Sequence, residues 1–236
     1  SQGRVLFDDV DMTHAATAQR NIAQVFQFPV VYDTMTVAEN LAFPLKNRKM
    51  DSVYIGKRVQ QVAQMIGLES LLAKKARGLS ANVQQKISLG RGIVREQVNA
   101  ILFDEPLTVI DPHMKWELRT QLKALHREFG HTMIYVTHDQ TEALTFADQV
   151  VMLHEGQVVQ VGTPEQLFES PEHTFVGYFI GSPGMNLLEA KIEGNRAIVG
   201  GHIIPLGEGD ELLRGRTQIG IRLIYTSNAA DDLLSA

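Results

Sequence analysis

The chain has 236 residues, 44% of them hydrophobic and 21% charged, and a formal net charge of −5. This describes a globular protein with a sizeable core, one large domain or one domain plus a small one, and the acidic balance argues against a nucleic-acid partner, because phosphate binding demands a basic face. The absence of cysteine excludes a disulfide framework and a thiolate metal site and fits a reducing compartment; no apolar run approaches the roughly 20 residues of a membrane-spanning helix, so a soluble protein that docks on something embedded is expected.

The chain opens on Ser1-Gln2-Gly3 in place of a methionine and a signal sequence, which suggests an excised piece. Residues 4–7 (RVLF) read as a short strand running into the turn DDVD, and Ile22 to Phe28 as a second strand closed by Pro29. From Thr36 to Leu45 the pattern is helical, with Thr36 as N-cap and Glu39 three residues later. A longer amphipathic helix follows near residues 51–67, ending at Gly67. Asn99 to Pro106 (NAILFDEP) is the clearest strand, and its consecutive apolar residues predict a parallel strand covered on both faces. Asp111-Pro112 supplies an N-cap and a proline at the first helical position. Met114, Leu118, Leu122, Leu125 and Phe129 then mark one helical face, stopped by Gly130.

Thr132 to Asp139 (TMIYVTHD) repeats the design of apolar strand and polar stop, so residues 100–137 form a βαβ unit with parallel pairing. VVMLHEGQVVQVG is a hairpin turning at Glu155-Gly156, and Thr163-Pro-Glu-Gln166 caps one more helix. After about Pro183 short β-like runs alternate with glycine turns and no helical period remains, which predicts a small β module. The expected division is therefore 1–182 and 183–236, with its boundary near Gly181 to Gly184.

Asp104 and Glu105 end a buried strand, where open α/β sheets bind ligands. A carboxylate there can hold Mg²⁺ through water while its neighbour orients or deprotonates an attacking water; an acidic turn at a strand end accounts for the pair equally well. His138 ends the next strand, so parallel pairing brings it to the same edge, where an imidazole can bond a phosphate oxygen or the water. Gln27 ends an earlier strand, and its amide oxygen could ligate a metal, though a glutamine there is usually just solvated. Asp111 has a purely structural explanation as helix N-cap.

In order, VFQ, an LS loop, LFDEP, a D-loop and THD resemble the nucleotide-binding subunit of ATP-binding cassette (ABC) transporters. RNIAQVFQFPVVYDTMTVAENLAFPL is similar to that family's Q-loop segment, ILFDEPLTVID to its Walker B strand and D-loop, and YVTHDQTEALTFADQVVMLHEGQVVQVGTPEQLFESP to its H-loop and following hairpin. The resemblance runs from about Gly3 to Ala190. More narrowly the chain looks like the carbohydrate and polyol importers, and QFPVVYDTMTVAENLAFPL, LSANVQQKISLGRG and FIGSPGMNLLEA together resemble one of the two ATPase subunits of bacterial glycerol importers. A glycerol-phosphate or maltose-type importer is the alternative within the family. A non-catalytic scaffold subunit is the alternative outside it, and retained Glu105 argues against that one.

The resemblance implies an α/β fold, a P-loop NTPase-like (RecA-like) parallel sheet with a helical signature subdomain, truncated, plus the start of an OB-like C-terminal β domain. It implies ATP and Mg²⁺ as cofactors. Asp104 would hold Mg²⁺ through water, Glu105 would be the general base, His138 would contact the γ-phosphate, and Gln27 would link the metal site to the membrane subunit. Asp111 would work across a dimer interface. Phe28 to Leu45 would help form the groove for a permease segment, on the cytoplasmic face of the bacterial inner membrane, with a periplasmic binding protein as indirect partner.

Two departures from the family pattern stand out. No GxxxxGK[ST] occurs, and Gly56-Lys57-Arg58 lacks the leading glycine and the hydroxyl residue, so the family's phosphate loop is expected upstream of Ser1, and this chain alone is expected to be inactive. The family's Leu-Ser-Gly-Gly-Gln reads Leu79-Ser80-Ala81-Asn82-Val83 here. In the family this loop closes over the partner subunit's nucleotide, so Ser80, Ala81 and Asn82 are expected to serve a partner's site. Were a positive φ needed at Ala81, strain on the order of 1 to 2 kcal/mol would follow. A heterodimer with one standard and one weakened site is the expected assembly.

Overall fold

The structure, a computed structural model, describes residues 3–194, 196–205 and 215–222. Its contacts divide the chain into two compact units, Ser1–His138 and Asp139–Ala236.

The first unit begins with a minimal hairpin, β1 (Leu6–Phe7) and β2 (Val10–Asp11), whose turn residues Asp8 and Asp9 both take positive φ. A one-turn helix α1 (Thr17–Arg20) leads into β3 (Ile22–Val25). The chain then leaves the sheet for α2 (Val37–Lys46), α3 (Ser52–Met65), a 3₁₀ turn at Glu69–Leu71, and α4 (Ala81–Ile93). It returns as β4 (Ala100–Asp104), α5 (Pro112–Phe129) and β5 (Met133–Val136).

The three longer strands form a parallel sheet in the order β3-β4-β5, pairing Gln24 with Leu102 and Leu102 with Ile134. This is the predicted βαβ unit with one more parallel strand beside it. The capping box on α2 is present: Thr36 Oγ1 accepts from the Glu39 amide, and Glu39 Oε2 accepts from the Thr36 amide. Leu41, Leu45, Val59, Val62, Ile66 and Ile87 are buried where α2, α3 and α4 meet. Close approach explains the glycines of α4: a Cβ at Gly92 would lie 2.4 Å from Val25 Cγ2, and one at Gly90 2.5 Å from Leu41 Cδ2.

The expectation of two covered faces holds for β4, where Ala100, Ile101 and Phe103 are buried, and fails for β5, where Ile134 and Val136 are each 53% exposed. An apolar run reports only that a strand is suited to two covers, and one face of β5 has none among the described residues.

The second unit contains α6 (Gln140–Phe146) and the hairpin β6 (Val150–His154) and β7 (Gln157–Gly162), which turns at Glu155 and Gly156 with φ of 50° and 77°. Then come α7 (Pro164–Glu169), capped by Thr163 and Gln166 as predicted, and α8 (Thr174–Phe179). Val150, Met152, Leu167, Val176 and Ile180 form its core. The predicted β character after Pro183 takes the form of β8 (Asn186–Glu193), β9 (Arg196–Val199), β10 (His202–Pro205) and β11 (Gly215–Ile221), an antiparallel sheet in the order β10-β9-β8-β11. The remainder of the expected module, residues 206–214 and 223–236, lies outside the described residues. Helices α6 and α8 have no counterpart among the predicted elements, being too short for a 3.6-residue period to register.

Candidate functional site

Parallel pairing puts the carboxyl ends of β3, β4 and β5 along one edge, and the residues just past each strand converge there. Glu105 follows β4 in the left-handed region at φ 43°, an arrangement that costs a non-glycine residue about 1 kcal/mol or more. Its amide still donates to the Val136 carbonyl at 2.9 Å, extending the ladder by one residue while the side chain is re-aimed.

Three groups hold the Glu105 carboxylate. Gln27 Nε2 donates to Oε2 at 2.9 Å, Thr108 Oγ1 donates to Oε2 at 3.2 Å, and His138 Nδ1 lies 3.0 Å from Oε1. The His138 hydrogen bond, against a smaller opposing effect of burial, holds the Glu105 carboxyl below its ordinary value. The carboxylate therefore stays an acceptor at neutral pH. With Nδ1 donating to Glu105, Nε2 of the largely exposed His138 can accept from a water in the neutral ring, and can donate to a phosphate oxygen only when the imidazole is protonated.

Asp104, the last residue of β4, is exposed and stands apart from this hydrogen-bonded cluster. An expected Mg²⁺ fits the residues present. Gln27 spends its NH₂ on Glu105 and keeps its carbonyl oxygen, and Asp104 offers an exposed carboxylate. Both are hard oxygen donors. The described residues contain no cluster of three acidic or imidazole ligands, so water and phosphate oxygens would complete the shell.

The second expected site is at the start of α4. Ser80 is the N-cap, its Oγ accepting from the Val83 amide at 3.4 Å, so Ala81 and Asn82 are the first helical residues. Neither is among the residues with positive φ, and the strain considered for Ala81 is absent because a helix start asks only for ordinary right-handed geometry. The Asp111 side chain does not cap α5, although its carbonyl accepts from the Met114 and Lys115 amides. Its Oδ2 instead accepts from Asn82 Nδ2 at 2.9 Å, because the side chain faces α4 rather than its own helix. Sequence reasoning placed Asn82 and Asp111 at one site without pairing them, and it missed Thr108 and Gln85. Gln85, 1% exposed, donates Nε2 to the carbonyls of Pro106 at 2.8 Å and Phe26 at 3.1 Å. Glutamine inside a buried helix face was the available signal.

Of the segment Phe28 to Leu45, Val30, Phe43 and Pro44 line a pocket together with residues of other segments. The pocket, of about 300 Å³, is lined by Phe26, Val30, Phe43, Arg48, Arg91 and Arg95, among others, with no carboxylate in its wall. Arg91 stacks on Tyr32 at 4.5 Å, and burial followed by the nearby Arg48 pulls Arg95 down to about 10. The Nε atoms of Arg91 and Arg95 are buried without hydrogen-bond partners among the described residues.

Comparison with known proteins places this geometry in context. The sequence pattern of a family described as ABC transporter matches residues 1–108. The oligosaccharide import ATP-binding protein MsmX of Bacillus subtilis is 40% identical over 226 residues, 95% of this chain and 62% of that protein. The sn-glycerol-3-phosphate import ATP-binding protein UgpC of Brucella abortus is 45% identical over 190 residues, 80% of this chain and 54% of that protein. The sulfoquinovosyl glycerol transport ATP-binding protein SmoE of Agrobacterium fabrum is 40% identical over 205 residues, covering 86% and 57%. The chain thus spans less than two thirds of the length of these relatives. Among solved structures, cbiO1 from Clostridium perfringens, part of the ABC transporter complex cbiONQ, aligns at a TM-score of 0.64 with 28% identity, covering 73% of this chain and 70% of that one.

Proposed function

The chain belongs to the ABC transporter family, and from that premise we propose that it is part of an ATP-hydrolysing subunit that energises import of a small polyol or sugar. The observation that carries the proposal is the Glu105 cluster: one ionised carboxylate, held by Gln27, Thr108 and His138, at the carboxyl edge of a parallel sheet. Glu105 orients a water and accepts its proton, His138 as an imidazolium donates from Nε2 to the phosphate being attacked, and Gln27 keeps the carboxylate in place. Asp104 and the Gln27 carbonyl would hold Mg²⁺, which, when bound, supplies charge neutralisation to the transferred phosphoryl group. Ser80, Ala81 and Asn82 offer the amides of a helix start to the nucleotide of a second ATPase subunit, and Asp111 lies at the same interface. The replaced Gly-Gly-Gln supports a heterodimer.

The sugar and glycerol-phosphate importers among the relatives support the substrate class, and glycerol remains the specific choice. The arginine-lined pocket beside Phe28 to Leu45 suits a cytoplasmic segment of a membrane-embedded permease. No helix among the described residues is long and apolar enough to cross a membrane, and a peripheral position on the cytoplasmic face of a bacterial inner membrane follows from that docking. Residues 1–182 would form the ATPase domain and 183–236 the OB-like module.

The test uses the complete gene product reconstituted with its partner subunits. Glu105→Gln should lower hydrolysis by about a hundredfold or more while leaving nucleotide binding in place; an unchanged rate removes Glu105 from the reaction. The 236-residue chain contains no phosphate-loop motif, so calorimetry on it alone should detect no micromolar MgATP binding.

A further inference from the structure

Asn82 looks in the sequence like the loss of a phosphate-facing glycine. Its surroundings give it a different task. Asn82 and Gln85 are three residues apart on α4 and so share a face, and both reach the loop that follows Glu105. Gln85 Nε2 donates to the Pro106 carbonyl at 2.8 Å, and Asn82 Nδ2 donates to Asp111 Oδ2 at 2.9 Å, with Met114 Sδ at 3.4 Å. A carboxylate only accepts, so the amide orientation at Asn82 is determined by its partner.

Between those two anchor points the loop is closed by its own turns. The Thr108 amide donates to the Glu105 carbonyl at 3.2 Å and the Ile110 amide to the Leu107 carbonyl at 3.1 Å, while Leu107 and Ile110 are buried. The Thr108 hydroxyl reaches back to the Glu105 carboxylate. The loop is therefore tied to α4 at both ends and to the reacting carboxylate in its middle.

We infer that Asn82 is a positioning residue for Glu105: through Asp111 it pins the far end of the 106–111 loop, so that Ser80 and Glu105 are held in one rigid arrangement. Glycine at position 82 has no side chain with which to make this tie. The residue that weakens resemblance to a phosphate-facing loop thus couples the group serving a partner's nucleotide to the base serving the subunit's own. The inference rests on the preceding reading of Glu105 as that base.

The test is a double-mutant cycle in the complete gene product assembled with its partner ATPase subunit, using Asn82→Ala, Asn82→Asp, Asp111→Asn and the double variant N82D/D111N, which exchanges donor and acceptor. The first readout is hydrogen exchange at the Thr108 and Ile110 amides, which needs no nucleotide. Exchange should quicken about fivefold in N82A, quicken further in N82D where two carboxylates meet, and return to within about twofold of wild type in the double variant. The second readout is ATP hydrolysis. N82A should lower kcat about three- to tenfold at unchanged KM, and the double variant should restore it beyond the product of the two single effects. Unchanged exchange in N82A, a double variant no better than that product, or faster exchange with unaltered kcat overturns the inference. Failure of the underlying reading would show elsewhere, as hydrolysis indifferent to Glu105→Gln.

Discussion

Glu105 gathers Gln27, Thr108 and His138 around one carboxylate, and its backbone and carboxyl group report the same constraint. The left-handed φ aims the carboxylate at His138, and that hydrogen bond is the leading reason its acid form is disfavoured. Because the folded state then binds this proton less readily than the unfolded chain, the cluster contributes stability that is present above the ordinary value of 4.5 and lost as pH falls through the lowered one. His138→Ala removes the leading cause, leaving Gln27 and Thr108 on the carboxylate, so the variant should be less stable than wild type above pH 4.5 and should lose less on acidification. Urea midpoints compared from about pH 3 to 7 should show the variant lower near neutral pH, with its gap to wild type closing as pH falls; superimposable profiles would rule the hydrogen bond out as the cause. Asp104, Glu105, His138 and Gln27 were legible in the sequence because each lies at or just past the end of an apolar strand. Thr108 was not, since a hydroxyl in a loop carries no pattern, and neither was the Asn82–Asp111 pair, because a contact between separate elements leaves no local period.

At the level of elements, α4 decides how the helices meet the sheet. Gly92 lets the helix lie against fully buried Val25, and a methyl group at 2.4 Å has nowhere to go without moving α4 or β3. Gly92→Ala should therefore destabilise by about 1–3 kcal/mol, measured as a fall in denaturant midpoint, even though alanine is the better helix former. At α2, Thr36→Ala should cost about 1 kcal/mol through loss of the capping box, and a midpoint within error of wild type would show that the cap is redundant. Capped helices and the β4 strand were readable because capping residues and apolar runs are local signals. The uncovered face of β5 was not, because a strand's composition says what could cover it and not whether it is covered.

Across the whole molecule, the contact division after His138 had no compositional marker; the shift in character near Pro183 was the visible one. The outward face of β5 has a solution consequence. Ile134 and Val136 offer adjacent apolar side chains on an edge of the described sheet, a setting that favours strand-to-strand association. Light scattering should detect concentration-dependent oligomers of the 236-residue chain, and the pair Ile134→Thr and Val136→Thr, which keeps β-branching, should reduce them; equal scattering would place the association elsewhere. The parallel pairing of β3 with β4 also has a meaning in time. Gln27 and Glu105 are 78 positions apart, so at roughly 5–20 residues per second the ribosome takes about 4–16 seconds to deliver Glu105 after Gln27 has been made. Throughout that interval the nascent β3 is without its β4 neighbour, and a cell making this chain must shelter a young strand until the sheet it belongs to has been synthesised.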